Sequence, residues 1–415
     1  MIKSGLLSKD VSNKSFSKLI VEYVDKNISY DYYDAENENV AENTIKSKNF
    51  DYLNITFPYK KTVIKLLDSC SEYVSKTGVC NLIVNENNNM VGYNTDVDGF
   101  LYLINKESVK IFEKNILIIG NGATSATIRY CLELLKAKLI FVGCRNKKNE
   151  GDLYFNELPK DKIDVIVNTT PVGMNENDEQ IINLKEFSNL YSYVDLIYNP
   201  KNTKTMIQAK TLGIKCVGGL SMLIKQAQLS YYIYTQKQNE KWSEVRSYIN
   251  TTKRNLIFIG MPTSGKTKIA KLIFNEGIYK KFFDTDEEIE KQEKLKISQI
   301  FEKYGESYFR EKEEELSKKL SKEVGCIISS GGGFILNESN YKSLATNSYF
   351  IYLKKENFDT FVDDGTRPLV KTKEDLYSLY AKRKMMYEKR SDLTLKDDAS
   401  EEELIKEIKN AINNY

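Results

Sequence analysis

No histidine occurs anywhere in the 415 residues. That excludes a histidine general base, a Ser-His-Asp triad and a histidine-bound metal, so proton transfer must run on Lys, Asp, Glu or Tyr. The six cysteines (Cys70, Cys80, Cys131, Cys144, Cys216, Cys326) form no C-x-x-C pair and no metal-ligand spacing. They read as reduced, mostly buried thiols. Long apolar runs are missing: stretches such as 116–119 and 256–259 fall far short of the ~20 residues a membrane span needs. The opening residues carry no apolar segment of a secretion signal, so the expectation is a cytoplasmic protein with no membrane partner. Charge of one sign is also lacking. Sixty-one Lys and Arg oppose 58 Asp and Glu for a net +3, which leaves no basic footprint for nucleic acid.

What is present is a globular composition, 41% hydrophobic and 29% charged, over a length that suggests about three domains. The sharpest motif begins at Asn255. An apolar strand-like run leads into Gly260, four intervening residues, then Gly265-Lys266-Thr267 and a helix-like continuation. This is G-x-x-x-x-G-K-[ST]. Its backbone N–H groups cradle phosphates, the Lys reaches the β/γ oxygens and the Thr hydroxyl binds Mg²⁺. Such a loop lies near the start of its domain, so some 250 residues ahead of it must do something else.

A second phosphate signal lies in that earlier part. Residues 115–127 read as a buried parallel strand, then Gly120-Asn121-Gly122, then a helix opening with Ala123 and Thr124. That is the pyrophosphate context of a dinucleotide-binding α/β unit. The next strand ends in Gly143-Cys144-Arg145-Asn146-Lys147-Lys148. An acidic residue there would favour NAD; Arg145, Lys147 and Lys148 suit the 2′-phosphate of NADP. Ser15 and Ser17 stand in a hydroxyl-rich turn, and Asn54-Ile55-Thr56-Phe57-Pro58-Tyr59-Lys60 reads as a strand broken by its proline. Residues 92–99 read as a capped turn into a helix. Residues 236–253 are expected to form a terminal helix plus linker, and charge runs such as 311–319 to be solvated helix faces.

Together these motifs resemble two families. Residues 1 to about 245 resemble shikimate dehydrogenase through N-I-T-F-P-Y-K at 54–60, Asn94-Thr95-Asp96, N-T-T-P-V-G-M at 168–174, D-L-I-Y-N-P at 195–200, and 219–226. Residues from about 253 resemble shikimate kinase through the phosphate loop, Asp284-Thr285-Asp286, Tyr308-Phe309-Arg310-Glu311, the glycine run at 331–333, Arg367-Pro368-Leu369 and Arg383. The resemblance implies an α/β chain of three parts. These are a substrate domain (1–97), an NADP-binding Rossmann domain (98–250) whose last helix returns to the first domain, and a P-loop kinase domain with a parallel sheet (253–415). It implies reduction of 3-dehydroshikimate and phosphorylation of shikimate, with NADP(H), ATP and Mg²⁺ as cofactors and small-molecule substrates as partners; a homo-oligomer is left open. Its rivals are a quinate-type dehydrogenase fused to another metabolite kinase, or one half that is regulatory.

By resemblance Lys60 supplies the proton for the developing alkoxide, with Asp96 beside it. Thr56, Asn81, Asp96 and Gln226 bind ring hydroxyls; Ser15, Ser17 and Tyr198 take the carboxylate. Gly120, Asn121, Gly122, Ala123, Thr124, Arg145, Lys147, Lys148 and Gly219 bind the dinucleotide. In the kinase half, Gly260, Gly265, Lys266 and Thr267 bind ATP, and Thr267 and Asp284 serve Mg²⁺. Asp286 deprotonates the acceptor, Arg310, Arg383 and Gly331 to Gly333 hold shikimate, and Arg367 neutralises the transferring phosphoryl. The chain departs from the family pattern at Lys14 and Lys18 around the serines, at Leu82, at Ala123, at Thr263 where a glycine is usual, and at Met385.

Overall fold

The computed structural model describes residues 1–10, 14–359, 361–363, 368–396 and 399–414. The chain divides into two compact units, Met1–Val245 and Arg246–Tyr415.

The first unit holds two sheets. One is mixed and six-stranded: β1 (Ile2–Ser8), β2 (Ile28–Asp34), β3 (Tyr52–Ile55), β4 (Ser69–Cys70), β5 (Leu82–Glu86) and β6 (Asn89–Tyr93), in the order β2-β1-β3-β5-β6-β4. β1 runs parallel to β2 and β3, while β5 is antiparallel to β3 and β6. The β5–β6 hairpin turns at Asn87 and Asn88, with φ of 54° and 72°. Asparagine tolerates that left-handed pair better than most side chains.

The other sheet is all parallel: β7 (Asn115–Ile119), β8 (Leu139–Cys144), β9 (Asp152–Tyr154), β10 (Val165–Asn168), β11 (Ser192–Asp195) and β12 (Lys215–Gly218), in the order β12-β11-β10-β7-β8-β9. β7 shows why it sits in the middle. Ile116 and Ile118 enter one core and Leu117 and Ile119 the other, so the strand is apolar on both faces. Strand order reverses between β7 and β10, which opens a crevice at their C-terminal ends. The helix Leu220–Thr235 then returns to the first sheet, where Tyr234 meets Tyr52 with ring centroids 5.1 Å apart.

The second unit contains one parallel sheet: β13 (Asn255–Ile259), β14 (Lys281–Asp284), β15 (Cys326–Ser329), β16 (Ser348–Lys354) and β17 (Leu393–Lys396), in the order β14-β15-β13-β16-β17. β13 is central and wholly buried. Of residues 236–253, 236–239 have no regular structure and the last part is helical. Trp242 packs on Tyr231 with ring centroids 5.8 Å apart, and a helix, Val245–Lys253, runs to within one residue of β13. Its polar residues are used internally: Asn250 Nδ2 donates to the Ile412 carbonyl at 2.7 Å and Arg254 to Asn250 at 2.9 Å. No described helix is long and apolar enough to cross a membrane.

Candidate active sites

In the first unit, the turn after β3 brings Lys60 to the start of the helix Asp96–Lys106, where its Nζ lies 2.7 Å from Asp96 Oδ2. Both side chains are largely withdrawn from water, at 12% and 8% exposure. A partly desolvated ammonium held in place by a carboxylate is positioned to hand one proton to a substrate oxygen, leaving a neutral amine beside the Asp96 carboxylate until solvent reprotonates it. Asn94 fixes the turn: its Oδ1 accepts from the Asp96 N–H, and its Nδ2 donates to Thr77 and Thr127.

Around the pair runs a network of neutral groups. Asn81 accepts from the Thr95 N–H at 2.8 Å and donates to the Thr95 hydroxyl at 2.9 Å. Thr95 Oγ1 lies 3.4 Å from both Gln226 Oε1 and Ser230 Oγ. Asn54 bridges Ser230 to Tyr30 at 3.3 and 3.1 Å. Ser15 donates to Ser17 at 3.0 Å, and Tyr32 donates to the Ser15 carbonyl. Tyr198 interacts with Ser15, and burial pushes its hydroxyl up, so it stays a neutral donor. Thr56 follows β3 directly, with its N–H on the Leu7 carbonyl. Ser15, Ser17 and Tyr198 therefore converge, as do Lys60, Asp96, Asn81 and Gln226. Tyr30 and Ser230 belong to the same network and escaped the sequence reading, because their only link to the motif residues is through space; Asn54 and Thr95 stand inside the quoted motifs but were given no role.

The crevice at the end of β7 is lined by Gly120, Asn121, Arg145, Lys148, Thr170 and Ile181, among others. Gly120 has φ 102°, and a Cβ there would stand 2.7 Å from Thr170 Cγ2. A Cβ at Gly122 would meet nothing within 4 Å. The space above the turn is thus open at the N-terminus of the helix Ala123–Leu134, where Ala123 and Thr124 begin, and this fits a pyrophosphate. Arg145 and Lys148 on the same crevice fit a 2′-phosphate.

One expectation for this crevice needs correction. Lys147 is turned away: its Nζ pairs with Glu157 at 2.6 Å and lies over the Tyr154 ring. Gly219 has a packing reason for lacking a side chain, since a Cβ would collide with the Leu196 carbonyl oxygen.

In the second unit, Gly260 (φ 146°) and Gly265 (φ 80°) bracket the loop between β13 and the helix Lys266–Asn275. Thr263, where a glycine is usual, also has positive φ, 69°. Lys266 Nζ donates to the Met261 carbonyl at 2.8 Å. Thr267 Oγ1 donates to Asp284 Oδ2 at 3.0 Å and lies 2.9 Å from Ser329 Oγ. A hydroxyl and a carboxylate side by side are the hard oxygen donors that Mg²⁺ shares with nucleotide phosphates and water. No group of three or more Asp, Glu or Cys that could hold a metal ion occurs among the described residues.

Asp284 also caps the next helix, accepting from the Asp286 and Glu287 N–H groups. Burial, then the neighbouring Asp284, pushes the Asp286 carboxyl up to about 6. Across the cavity, a Cβ at Gly331 would overlap Asp286 Oδ1, one at Gly332 would stand 2.8 Å from Pro262, and one at Gly333 would stand 2.6 Å from Arg310. Arg310 is held by Glu313 at 2.6 Å and Glu306 at 2.8 Å, and Arg383 donates to the Gly332 carbonyl at 3.2 Å. Phe301, Phe309, Leu369 and Val370 complete the walls. Arg367 lies outside the described residues.

Glu313 corrects the reading of 311–319 as solvated. It is 1% exposed, and burial drives its carboxyl up to about 7 against the pull of Arg310. The signal was available: three residues after Arg310, it shares that side of the helix Ile297–Leu320.

Comparison with known proteins agrees with both halves. A model of the shikimate dehydrogenase substrate binding domain matches residues 6–83, and a shikimate kinase model matches 262–413. The NADP⁺-type shikimate dehydrogenase of Clostridium beijerinckii is 32% identical over 246 residues, covering 57% of this chain and 89% of the relative. That of Methanococcus vannielii is 35% identical over 259 residues, covering 56% and 90%. Among solved structures, a chorismate mutase/shikimate 5-dehydrogenase fusion from Clostridium acetobutylicum superposes with TM-score 0.54 at 29% identity, covering 59% of this chain and 96% of that one. Shikimate dehydrogenase 1 from Peptoclostridium difficile gives 0.55 at 28%, with the same coverages.

Proposed function

The chain belongs to the shikimate dehydrogenase family and carries a shikimate kinase domain behind it, and on that premise we propose that it performs two consecutive steps. It is a bifunctional shikimate-pathway enzyme, an NADP-dependent dehydrogenase and a kinase. The finer reading is reduction of 3-dehydroshikimate to shikimate, followed by transfer of a phosphoryl group to the shikimate 3-hydroxyl.

Bound NADPH supplies the hydride, and bound Mg-ATP the phosphoryl group. Lys60 Nζ gives its proton to the oxygen of the reduced carbonyl, and Asp96 holds the ammonium and balances its charge. Asn81, Thr56 and Gln226 orient the ring hydroxyls, and Ser15, Ser17 and Tyr198 hold the carboxylate, so an analogue lacking a hydroxyl leaves buried polar groups unpaired. Arg145 and Lys148 select the 2′-phosphate. In the kinase, Arg310 and Arg383 grip the carboxylate and Asp286 takes the proton of the attacking hydroxyl. Gly260, Gly265 and the N–H groups of the loop hold the phosphates with Lys266, and Thr267 with Asp284 holds the metal.

The observation that carries this reading is the Lys60–Asp96 pair in one unit and the Thr267–Asp284–Asp286 arrangement in the other. The test is to supply purified protein with 3-dehydroshikimate, NADPH and Mg-ATP, following NADPH absorbance and product mass. NADPH loss with shikimate 3-phosphate appearing supports both steps. Reduction that stops at shikimate refutes the kinase half, and phosphorylation of added shikimate without NADPH loss refutes the dehydrogenase half.

A further inference from the structure

The segment 145–151 between β8 and β9 contains no helix, and all of it is exposed. Yet it carries Arg145 and Lys148, the two cations facing the crevice. A phosphate can be recognised by side chains only if the backbone bearing them is held, and apolar packing cannot hold an exposed loop of charged and polar residues.

What holds it is Asp152, the first residue of β9 and only 5% exposed. Its Oδ2 accepts from the Lys148 N–H at 2.9 Å, the Asn149 N–H at 3.1 Å and Asn121 Nδ2 at 2.8 Å, with Asn149 Nδ2 at 3.5 Å. Asn121 Nδ2 also donates to the Asn146 carbonyl at 2.8 Å. Asn121 stands between the two glycines of the pyrophosphate turn, so its side chain is spent on a brace rather than on a ligand. Burial alone would raise the Asp152 carboxyl, but the hydrogen bonds from Lys148, Asn121 and Asn149 outweigh it and hold the group low and ionised.

We propose that Asp152 and Asn121 form a positioning brace that ties the cation-bearing loop to the pyrophosphate turn and thereby sets the preference for NADPH over NADH. This rests on the reading that Arg145 and Lys148 meet the 2′-phosphate. The carboxylate does not touch that phosphate. It fixes the backbone at 148 and 149, while Asn121 fixes it at 146, so both cations are offered at a set distance from the turn. NADH makes no use of that offer, because its ribose carries no phosphate.

The test is direct binding to the full chain, read by nicotinamide fluorescence with NADPH and NADH separately, for the parent, Asp152→Ala, Asp152→Asn, Asn121→Ala and Arg145→Ala. Asp152→Ala should weaken NADPH binding by about tenfold or more, the size expected for hydrogen bonds to a charged group, and leave NADH binding within about twofold. Asp152→Asn keeps one acceptor oxygen without the charge and should fall between Asp152→Ala and the parent. Asn121→Ala should act in the same direction, weakening NADPH binding more than NADH binding. With Arg145 already removed, Asp152→Ala should cost less preference than it does alone. Parallel losses for both nucleotides would overturn the proposal, since the brace would then merely support the turn, and so would an unchanged NADPH preference. A parent without any NADPH preference would instead refute the 2′-phosphate reading and the proposal with it.

Discussion

The two catalytic regions are lined by different chemistry. Around Lys60 and Asp96 almost everything is neutral: amides of Asn54, Asn81 and Gln226, and hydroxyls of Ser15, Ser17, Thr95, Tyr198 and Ser230. Around Asp286 the polar lining is ionic, with Glu313, Arg310 and Arg383 set among apolar walls and the charges of Asp284 and Lys266 close enough to act on it. Reducing a carbonyl leaves one nascent alkoxide, so a single proton donor in a hydroxyl-reading cage suffices. Moving a phosphoryl group shifts several charges at once, and only fixed charges of both signs can accommodate that.

The sharpest way to break this contrast is to remove one ammonium at a time. Lys60→Ala should lower dehydrogenase kcat by roughly 10²–10⁴-fold while phosphorylation of added shikimate continues, and Lys266→Ala should do the converse. Loss of both activities from either change would show that the contrast is wrong. Asp286→Asn should follow, costing kinase kcat on the order of 10²-fold or more with dehydrogenase rates untouched.

Titration separates the regions by direction. Asp286 must be ionised to take a proton, so kinase kcat/KM should rise as pH climbs through about 6. The same carboxyl, raised above its ordinary 3.8, binds its proton more tightly folded than unfolded. Its contribution to stability is therefore present below 3.8 and lost as pH rises through about 6, opposite to activity. A kinase profile that is flat from pH 5 to 7, against a single ionisation at about 6, would remove Asp286 from the base role.

A smaller effect is expected at Glu313. Glu313→Gln leaves Arg310 with Glu306 alone and should raise KM for shikimate about tenfold with little change in KM for ATP. The smallest concerns the loop backbone. Thr263 adopts φ 69°, a conformation that costs a β-branched residue roughly 1–2 kcal/mol. Thr263→Gly should therefore raise the melting temperature by about 2–4 °C, and a drop would show that the side chain contributes more than its strain costs.

Much of this was legible beforehand because it is local. Strand β7, the Gly120–Gly122 turn and the loop from Gly260 to Thr267 are contiguous stretches whose period and glycines carry their own geometry. What failed was everything decided at a distance. Lys147 and Lys148 are neighbours in sequence, yet only contact with Glu157 and Tyr154 turns the first away from the crevice. Glu313 sits in a charged run that reads as surface, and packing buries it against Arg310. Within the polar stretch before β13, only the fold shows where the helix lies, Val245–Lys253, and that its Asn250 is spent on the Ile412 carbonyl.

The sequence by itself determined the two phosphate loops, the three sheets' α/β character and the absence of histidine chemistry, because each follows from residues adjacent along the chain. Tertiary structure alone decided which charges meet. Burial of Asp152 and Glu313 and the desolvation of Asp286 arise where separate strands and helices close on one another, and a charge acquires its role only once desolvation and its partners are set.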